Sequence, residues 1–313
     1  MTSDGILITG ALGHIGSALV RDENLLQGCR ALYLVDNLQT ERYCSLFHLP
    51  DSVPMSFRQA DVADICSPDF TARFDAVVHL AGTVDPGRSA ADPSLVFDNN
   101  LRITRQVASS CAESGTPLIF VSTTSVYSSA EATVDESSQE LSPLGAYAQC
   151  KLAEEAVVQS LMQDVPWIVL RLGTIVGPSP GMRFQTAVNK FCWQAVTGQQ
   201  VHVWRSAMHQ VRPYLALSDC TRAIARAVHH GVFPQRVVNA VSWNATVHDV
   251  LQTIREAGVT VDVELIDSPL MSDLSFAAST ELARSLGFEF NGTLAMGVSE
   301  TLRWLGPLDA ARH

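Results

Sequence analysis

The chain has 313 residues, of which 47% are hydrophobic and 17% are charged. Its 21 Lys and Arg residues against 32 Asp and Glu residues give a net charge of −11, which argues against a protein that binds the backbone of nucleic acids. Its 19 glycines and 14 prolines are ordinary contents that exclude collagen-like and low-complexity chains. The length suits one large α/β unit or two small domains.

Signals for export, membrane insertion and metal binding are missing from the sequence. The N-terminus lacks the basic segment and cleavage site of a signal peptide, and no apolar run approaches the roughly 18 residues that a membrane-spanning helix needs. The seven cysteines are scattered without a CxxC pair, which predicts free thiols rather than disulfides. We therefore expect a cytoplasmic protein that binds no metal and no membrane.

The first half of the chain alternates short apolar runs with longer amphipathic stretches. The short runs are rich in Val, Ile and Leu, as in strands buried on both faces, and lie at 6–8, 31–35, 76–80, 118–122 and 168–172. Helical patterns lie at 15–26, 95–114 and 146–162. This alternation predicts right-handed crossovers and a doubly wound parallel sheet of the α/β class.

After Gly177 and Pro178 the alternation becomes irregular. Further helices are predicted at 184–197, 220–230, 247–257 and 280–286, and further strands at 201–204, 213–217, 237–241 and 261–266. We predict a dinucleotide-binding Rossmann domain over 1–176, to which a strand–helix unit at about 213–240 returns. Residues 177–212 and 241–306 are predicted to form a smaller substrate-binding lobe, and 307–313 a frayed tail.

A glycine-rich turn follows the first predicted strand and opens the first predicted helix. Gly10, Gly13 and Gly16 permit a tight turn, close approach of a pyrophosphate and close packing of the helix on the strand. Asp36 ends the second strand 20 residues after Gly16. A carboxylate there accepts a hydrogen bond from the adenosine ribose 2′-hydroxyl and repels a 2′-phosphate, so the pattern favours NAD over NADP.

Alternatives stay open at three nearby positions. Asp36 can also serve as a helix cap or turn former. Asp61 and Val62, which close the next apolar segment, either hold the adenine edge or mark a solvated strand end. His79 lies in a predicted buried strand, where a core histidine is the simpler interpretation.

Tyr147 and Lys151 have the i, i+4 spacing that places both side chains on one face of a helix. A free phenol, with a pKa of about 10, is a poor base at neutral pH. The ammonium and the charge of an oxidised nicotinamide are expected to lower that pKa. Thr123, in a hydroxyl cluster that ends a predicted strand, can hydrogen-bond the substrate hydroxyl that Tyr147 deprotonates. An exposed pair without function is the alternative.

Taken in chain order, these motifs resemble those of the extended short-chain dehydrogenase/reductases. The branch they resemble most is the NAD-dependent epimerase/dehydratase family, in particular members like UDP-glucose 4-epimerase. The motifs are TGALGHIG at 9–16, DNL at 36–38, HLAG at 79–82, RSAADP at 88–93, STTSVY at 122–127, YAQCK at 147–151, RLGTIVGP at 171–178 and RPY at 212–214. The resemblance implies bound NAD, a nucleotide-sugar substrate and a homodimer formed through the helices at 95–114 and 146–162.

The resemblance also implies a role for each matching residue. Thr123 takes the family's Ser/Thr role, Tyr147 is the base and acid, and Lys151 holds the nicotinamide ribose and tunes Tyr147. The other residues implied to line the cofactor are Gly10, Gly13, His14, Ile15, Gly16, Asp36, Asn37, Asp61, Val62, Leu80, Ala81, Gly82, Asn100 and Ser122. Those implied to contact the substrate are Thr83, Arg88, Thr123, Thr124, Thr174, Arg183 and Arg212. Because the protein is acidic, its local arginines are expected to attract the anionic substrate, although Arg212 could instead be a solvated charge.

Several positions depart from the family pattern. Thr124 and Ser125 stand where the 4,6-dehydratases carry Asp and Glu, and hydroxyls near neutral pH cannot do the proton transfers of those acids. Dehydration and decarboxylation are therefore disfavoured. Gly173 and Thr174 replace the Phe and Asn of RxFNVYGP, and Pro213 replaces the Asp of RDY, so we expect an unusual substrate.

The leading hypothesis is an NAD-dependent epimerase of a nucleotide-activated sugar. Tyr147 would remove a hydroxyl proton while hydride passes to bound NAD, and hydride would return to the opposite face of the transient ketone. The first alternative is a keto-sugar reductase or dehydrogenase of the same family that uses NAD(P)H, which Asp36 disfavours because biosynthetic reductases generally use NADPH. The second is a non-catalytic NAD-binding regulatory module, against which Thr123, Tyr147 and Lys151 argue.

Overall fold

The computed structural model describes residues 3–83, 93–127, 131–138, 141, 143, 145–267 and 275–306. The strands in these ranges are β1 (Ile6–Thr9), β2 (Leu32–Asp36), β3 (Met55–Gln59), β4 (Ala76–His79), β5 (Leu118–Thr123), β6 (Thr133–Val134), β7 (Trp167–Leu172), β8 (Thr174–Val176), β9 (Val201–Trp204), β10 (Val211–Ala216), β11 (Arg236–Ala240), β12 (Trp243–Thr246), β13 (Val263–Ile266) and β14 (Ala277–Ala278). The helices are α1 (His14–Leu19), α2 (Glu23–Leu26), α3 (Val62–Ile65), α4 (Pro68–Thr71), α5 (Pro93–Ser114), α6 (Ala146–Leu161), α7 (Ala187–Val196), α8 (Leu217–His230), α9 (Val247–Glu256), α10 (Glu281–Ser285) and α11 (Leu294–Leu305).

Seven parallel strands form the central sheet, in the spatial order β11-β7-β5-β4-β1-β2-β3. Since β1 pairs with β2 on one side and with β4 on the other, the strand order reverses at β1. In such sheets a ligand crevice opens beyond the carboxyl ends of the strands at the reversal. The α/β class and the doubly wound Rossmann sheet are confirmed.

Alternate residues of each strand point to opposite faces of the sheet. Ile6 and Ile8 are buried on one face, where α8 packs against α1 and α2, and Leu7 is buried on the other, where α4, α5 and α6 pack together. Burial on both faces explains the continuous apolar runs of the sequence. None of the helices in the described ranges combines the length and apolar character needed to cross a bilayer.

The C-terminal part of the chain adds a smaller lobe. In it β10 pairs in parallel with β8 and antiparallel with β12. Helices α7, α9 and α11 supply a separate apolar cluster that includes Val188, Val250 and Val298. Because β8 follows β7 directly, this lobe begins at the carboxyl edge of the central sheet, beside the crevice.

Three elements differ from the sequence prediction. The helix predicted at 15–26 is divided into α1 and α2 because Asp22 accepts a hydrogen bond from the backbone N–H of Asn24 and starts a second helix. The strand predicted at 213–217 lies in the lobe as β10, so the unit that returns to the central sheet is α8 followed by β11. A buried strand has the same pattern in either sheet. Edge strand β3 was not predicted because four of its five residues are exposed. Residues 307–313 lie outside the described ranges.

Candidate active site

The glycine-rich loop lies between β1 and α1 at the carboxyl edge of the central sheet. Gly10 has a φ of 66°, and a Cβ there would lie 2.6 Å from the backbone nitrogen of Ala81. A Cβ on Gly16 would lie 2.6 Å from two carbonyl oxygens of the same loop. At Gly13 the nearest atoms are a carbonyl oxygen at 3.2 Å and the guanidinium of Arg42 at 3.8 Å. Packing therefore requires Gly10 and Gly16, and Gly13 leaves a cradle that a side chain would fill, which fits a dinucleotide pyrophosphate.

The carboxylate of Asp36 is held beside this loop. It accepts hydrogen bonds from the backbone N–H of Leu12 at 3.1 Å and of Leu38 at 2.8 Å. Asp36 is thus a turn former, as the alternative proposed. A carboxylate has about four acceptor positions, so Asp36 can still accept from a ribose hydroxyl, and the two functions are compatible. Asn37 next to it is exposed and accepts from the N–H of Gln39.

Four other residues predicted at the cofactor have structural contacts of their own. Asp61 accepts from the N–H of Ala63 at the start of α3 and pairs with Arg102 at 2.6 Å. Val62 is buried in the core, and Ile15 and Leu80 pack against it. An adenine contact by Asp61 and Val62 stays a prediction.

The segment after β4 runs past the glycine loop and is fixed by α5. The N–H of Ala81 donates to Oγ1 of Thr9 at 3.3 Å. Thr83 and Asn100 exchange two hydrogen bonds, of 2.8 and 3.0 Å, between the Thr83 backbone and the buried Asn100 amide. A Cβ on Gly82 would lie 3.7 Å from that amide. Asn100 therefore supports the rim of the crevice, as the resemblance implies.

His79 is a core histidine. Its ring nitrogens lie 2.7 Å from Oγ1 of Thr9 and 3.4 Å from Oγ1 of Thr104. Burial, with a further contribution from the charge of Lys151, lowers the pKa of His79 to about 3, so the ring is neutral at physiological pH.

Thr123, Tyr147 and Lys151 come from β5 and the first two turns of α6. Burial raises the pKa of Tyr147 above its ordinary value, and the positive charges of Lys151 and Arg183 offset only part of this effect. The expectation that Lys151 by itself lowers the pKa is therefore wrong, because desolvation of the phenolate exceeds the attraction of the ammonium. Oγ1 of Thr123 accepts from the N–H of Ser125 at 3.1 Å.

Two buried carboxylates on α6 were missed by the sequence analysis. Oε2 of Glu154 lies 3.1 Å from Nζ of Lys151. Glu155 pairs with Arg171 at 2.7 Å and accepts from the hydroxyl of Ser122 at 2.5 Å. The Ser122 hydroxyl is thereby committed to Glu155, so a cofactor contact from Ser122 would have to come from its backbone. Both acids follow the YxxxK motif directly in the sequence, but nothing in the motif indicates their burial.

The segment after β8 packs over the glycine loop. Nε2 of His14 donates to the carbonyl of Gly177 at 2.9 Å, and burial lowers the pKa of His14 to about 4. Oγ of Ser17 donates to Oγ of Ser179 at 3.0 Å and accepts from the N–H of Gly181 at 2.9 Å. These contacts span more than 160 residues of sequence, so no local pattern predicted them.

Two arginines act on this region. Arg183 influences the pKa of Tyr147, of His14 and of Arg42, which places its charge between the phenol and the glycine loop. Burial lowers the pKa of Arg42, and Asp36 opposes the effect. The sequence analysis did not select Arg42, whose only local signal is a basic residue in the turn after Asp36.

The remaining substrate residues lie on β5, β8 and β10. The buried hydroxyl of Thr124 donates to a β7 carbonyl at 3.3 Å, and Thr174 pairs with Tyr214 across β8 and β10. Arg212 is half-buried, donates to Gln210 at 3.3 Å and lies 6.0 Å from an aromatic ring. Arg88 lies outside the described residues.

The departure at Gly173 has a packing reason. A Cβ there would lie 2.9 Å from the carbonyl carbon of Tyr214 and 3.1 Å from that of Pro213. Glycine at this position thus lets β10 approach the end of β7.

Comparison with known proteins agrees with this geometry. UDP-glucose 4-epimerase 2 from Oryza sativa subsp. japonica is 32% identical over 187 residues, which are 56% of this chain and 45% of the relative. A UDP-glucose 4-epimerase from Cyamopsis tetragonoloba is 30% identical over 192 residues, 58% of this chain and 54% of the relative. The chain spans about half the length of the curated relatives it matches.

Among solved structures, the UDP-N-acetylglucosamine 4-epimerase of Methanobrevibacter ruminantium M1, in complex with UDP-N-acetylmuramic acid, has a TM-score of 0.86 at 20% identity and covers 97% of this chain and 99% of its own. The Thermus thermophilus UDP-glucose 4-epimerase, in complex with NAD, has a TM-score of 0.77 at 24% identity and covers 97% and 99%. These likenesses confirm the fold.

The family model described as the NAD dependent epimerase/dehydratase family matches residues 6–240, from β1 to the end of β11. That range includes the glycine loop, Asp36, Tyr147 and Lys151. The resemblance and the NAD cofactor are confirmed: the chain belongs to the NAD dependent epimerase/dehydratase family.

Proposed function

We propose that the protein epimerises a nucleotide-activated sugar through a transient ketone, with Tyr147 as base and acid and bound NAD as the hydride shuttle. The observation that carries the proposal is that the charge of Arg183 acts on both Tyr147 and His14 of the glycine loop. The phenol and the dinucleotide cradle therefore face one crevice, at the reversal of the strand order.

Each step uses a residue of this crevice. NAD, when bound, supplies an acceptor for hydride and returns it. The glycine loop and Asp36 hold the dinucleotide, and Thr123 orients the reacting sugar hydroxyl. Tyr147 takes the proton of that hydroxyl as its carbon loses hydride, which leaves a ketone; Tyr147 then returns the proton when hydride comes back to the opposite face. Atoms and electrons balance, and the net change is inversion of one carbon.

The side chains after Thr123 favour epimerisation over dehydration. Elimination of water needs an acid and a base beside the sugar. Thr124 instead has a buried hydroxyl bonded to a carbonyl, and Ser125 is a second hydroxyl. Neither group exchanges a proton readily near neutral pH, so the hydride steps are the chemistry that this crevice supports best.

The test begins with purified protein that receives no added cofactor. Its bound NAD is extracted and measured, and UDP-glucose, UDP-galactose, UDP-N-acetylglucosamine and UDP-glucuronic acid are each offered. An isomer of the offered sugar, analysed by NMR, supports the proposal. A stoichiometric change in NADH would instead indicate the reductase or dehydrogenase alternative, and no reaction with any sugar would favour a binding module.

Tyr147→Phe is expected to keep bound NAD and to lose about 10²- to 10⁴-fold in turnover, the usual contribution of a general acid–base group. The matched control is Tyr33→Phe, which removes a phenol oxygen from a tyrosine packed between Phe70 and Phe74 on β2. That variant should retain full turnover. An active Tyr147→Phe enzyme would contradict the assignment of the base.

We also propose that two copies pair through α5 and α6, which pack against each other within one chain. Sedimentation at micromolar concentration should give a dimer. A monomer across that range would contradict this part of the proposal.

A further inference from the structure

Lys151 has a buried partner that the proposed reaction does not use. Its ammonium lies 3.1 Å from Glu154, one turn further along α6, and the two side chains are only 5% and 0% exposed. Nζ of Lys151 also lies 4.8 Å from the centre of the Phe120 ring on β5. The ammonium is therefore confined between α6 and the central sheet by contacts on two sides.

Glu154 is itself anchored to the floor of the crevice. Its other carboxylate oxygen accepts from the hydroxyl of Thr104 on α5 at 2.6 Å. Thr104 neighbours His79, and His79 neighbours Thr9, which precedes the first glycine of the loop. All of these side chains are buried. Because the ring of His79 is neutral, the charges of this network are those of Lys151 and Glu154.

We propose that Glu154 is a positioning residue: it fixes the ammonium of Lys151 and balances its charge, so that the phenol of Tyr147 keeps its proton in the resting enzyme. The inference rests on the proposed function of Tyr147 as the base. A phenol that must both take and return a proton has to be stable in its protonated form as well, and an unbalanced buried ammonium would favour the phenolate alone.

The electrostatics of the crevice agree with this role. The charged and titratable groups that act on Tyr147 are Lys151, Arg183, Glu154 and Cys150. Burial raises the pKa of Tyr147, Lys151 and Arg183 lower it, and Glu154 and Cys150 raise it. Burial and Glu154 raise the pKa of Cys150 to about 12, so this thiol is uncharged. Glu154 is therefore the anion in this group.

The same carboxylate keeps Lys151 protonated. Burial by itself lowers the pKa of Lys151, but Glu154 and Tyr147 outweigh burial, and the pKa of the ammonium stays above its ordinary value. Loss of the Glu154 charge is expected to leave Lys151 as an ammonium with less opposing charge, so the phenol should release its proton at lower pH.

The experiment measures the proton on Tyr147 directly. The full chain with its bound NAD is labelled with carbon-13 at the phenol carbon of tyrosine, and the signal of Tyr147 is assigned by its loss in Tyr147→Phe. The signal is then followed against pH in the wild type and in Glu154→Gln. We expect the midpoint to move to lower pH in Glu154→Gln and to stay near the wild-type value in Glu154→Asp, which keeps the charge. Where Glu154→Gln does not fold, Glu154→Met removes the charge with an apolar side chain of similar volume.

Glu155→Gln is the matched control. Glu155 is the next residue, is equally buried, and pairs with a buried Arg171 rather than with Lys151. The midpoint of Tyr147 should not move in this variant. An unchanged or higher midpoint in Glu154→Gln, or an equal shift in Glu155→Gln, overturns the inference.

The titration also separates the inference from the proposed function. If Tyr147→Phe is inactive but the midpoint does not respond to Glu154, the inference alone fails. If Tyr147→Phe stays active and the midpoint still moves in Glu154→Gln, the proposed base is wrong while the charge balance stands.

Discussion

The cofactor side and the substrate side of the crevice are held together in different ways. On the cofactor side, backbone atoms set the shape: Gly10 and Gly16 pack within 2.6 Å of neighbouring main chain, and Asp36 binds two backbone amides. On the substrate side, side chains such as Thr174 and Arg212 come from β8 and β10 in the separate lobe. Backbone geometry tolerates few residue types, whereas side chains on a small sheet can be exchanged.

This difference explains where the sequence keeps the family pattern and where it departs from it. The glycine positions cannot change without a clash, so TGALGHIG is retained. The departures at Gly173, Thr174 and Pro213 lie at the junction of β7, β8 and β10, where a new packing arrangement was possible. The chemistry of the cofactor is therefore fixed more tightly than the identity of the sugar.

The strongest test of the cofactor side is Gly10→Ala. The added methyl would combine a left-handed backbone with a contact 2.6 Å from Ala81, and we expect a loss of more than about 4 kcal/mol of stability together with loss of bound NAD. Gly28→Ala is the control, because Gly28 also has a positive φ, of 81°, but has no atom within 4 Å of the added carbon. It should cost about 1 to 2 kcal/mol from backbone strain. Urea unfolding compares the two, and equal losses would contradict the packing argument.

The contact between the two sides is tested by pH. Burial lowers the pKa of His14 from 6.5 to about 4, so between these values the unfolded chain binds a proton that the folded protein excludes. The free energy of unfolding should therefore fall as the pH falls through this window, by about 3 kcal/mol from His14.

His14→Gln keeps an amide that can donate to the carbonyl of Gly177 but does not titrate. Chemical unfolding at both ends of the window should show a smaller decline for this variant than for the wild type. The buried His79 contributes to the decline in both proteins, so only the difference between them reports on His14. Identical declines would show that the ring of His14 is not held neutral by its contact.

The smallest effect expected is at Asp36. Asp36→Asn removes a charged acceptor, which is worth about 1.5–3 kcal/mol, and should weaken NAD binding about ten- to a hundredfold. Binding of NADP should weaken less, because the charge that repels a 2′-phosphate is also lost. Asp61→Asn is the control, since Asp61 contacts Ala63 and Arg102, and it should leave the preference for NAD unchanged. Calorimetric titration with both dinucleotides measures the ratio.

The sequence predicted the parts of the molecule that local rules govern. The buried strands, the glycine loop and Asp36 are recognisable because each requires particular residue types at fixed spacing. Strand β3 was missed because an exposed edge strand has no apolar run. Glu154 and Ser17 were missed for another reason: their partners Thr104 and Ser179 are 50 and 162 residues away, and only the folded chain brings them together.

The central claim is that hydride leaves the sugar and returns to the same sugar while Tyr147 holds the hydroxyl proton. The direct measurement offers a reactive nucleotide sugar that carries deuterium at every ring carbon and analyses the isomer by mass spectrometry. We predict that the inverted sugar retains all of its deuterium, without added NAD. Loss of one deuterium to water, or its recovery in released NADH, would contradict the proposed reaction.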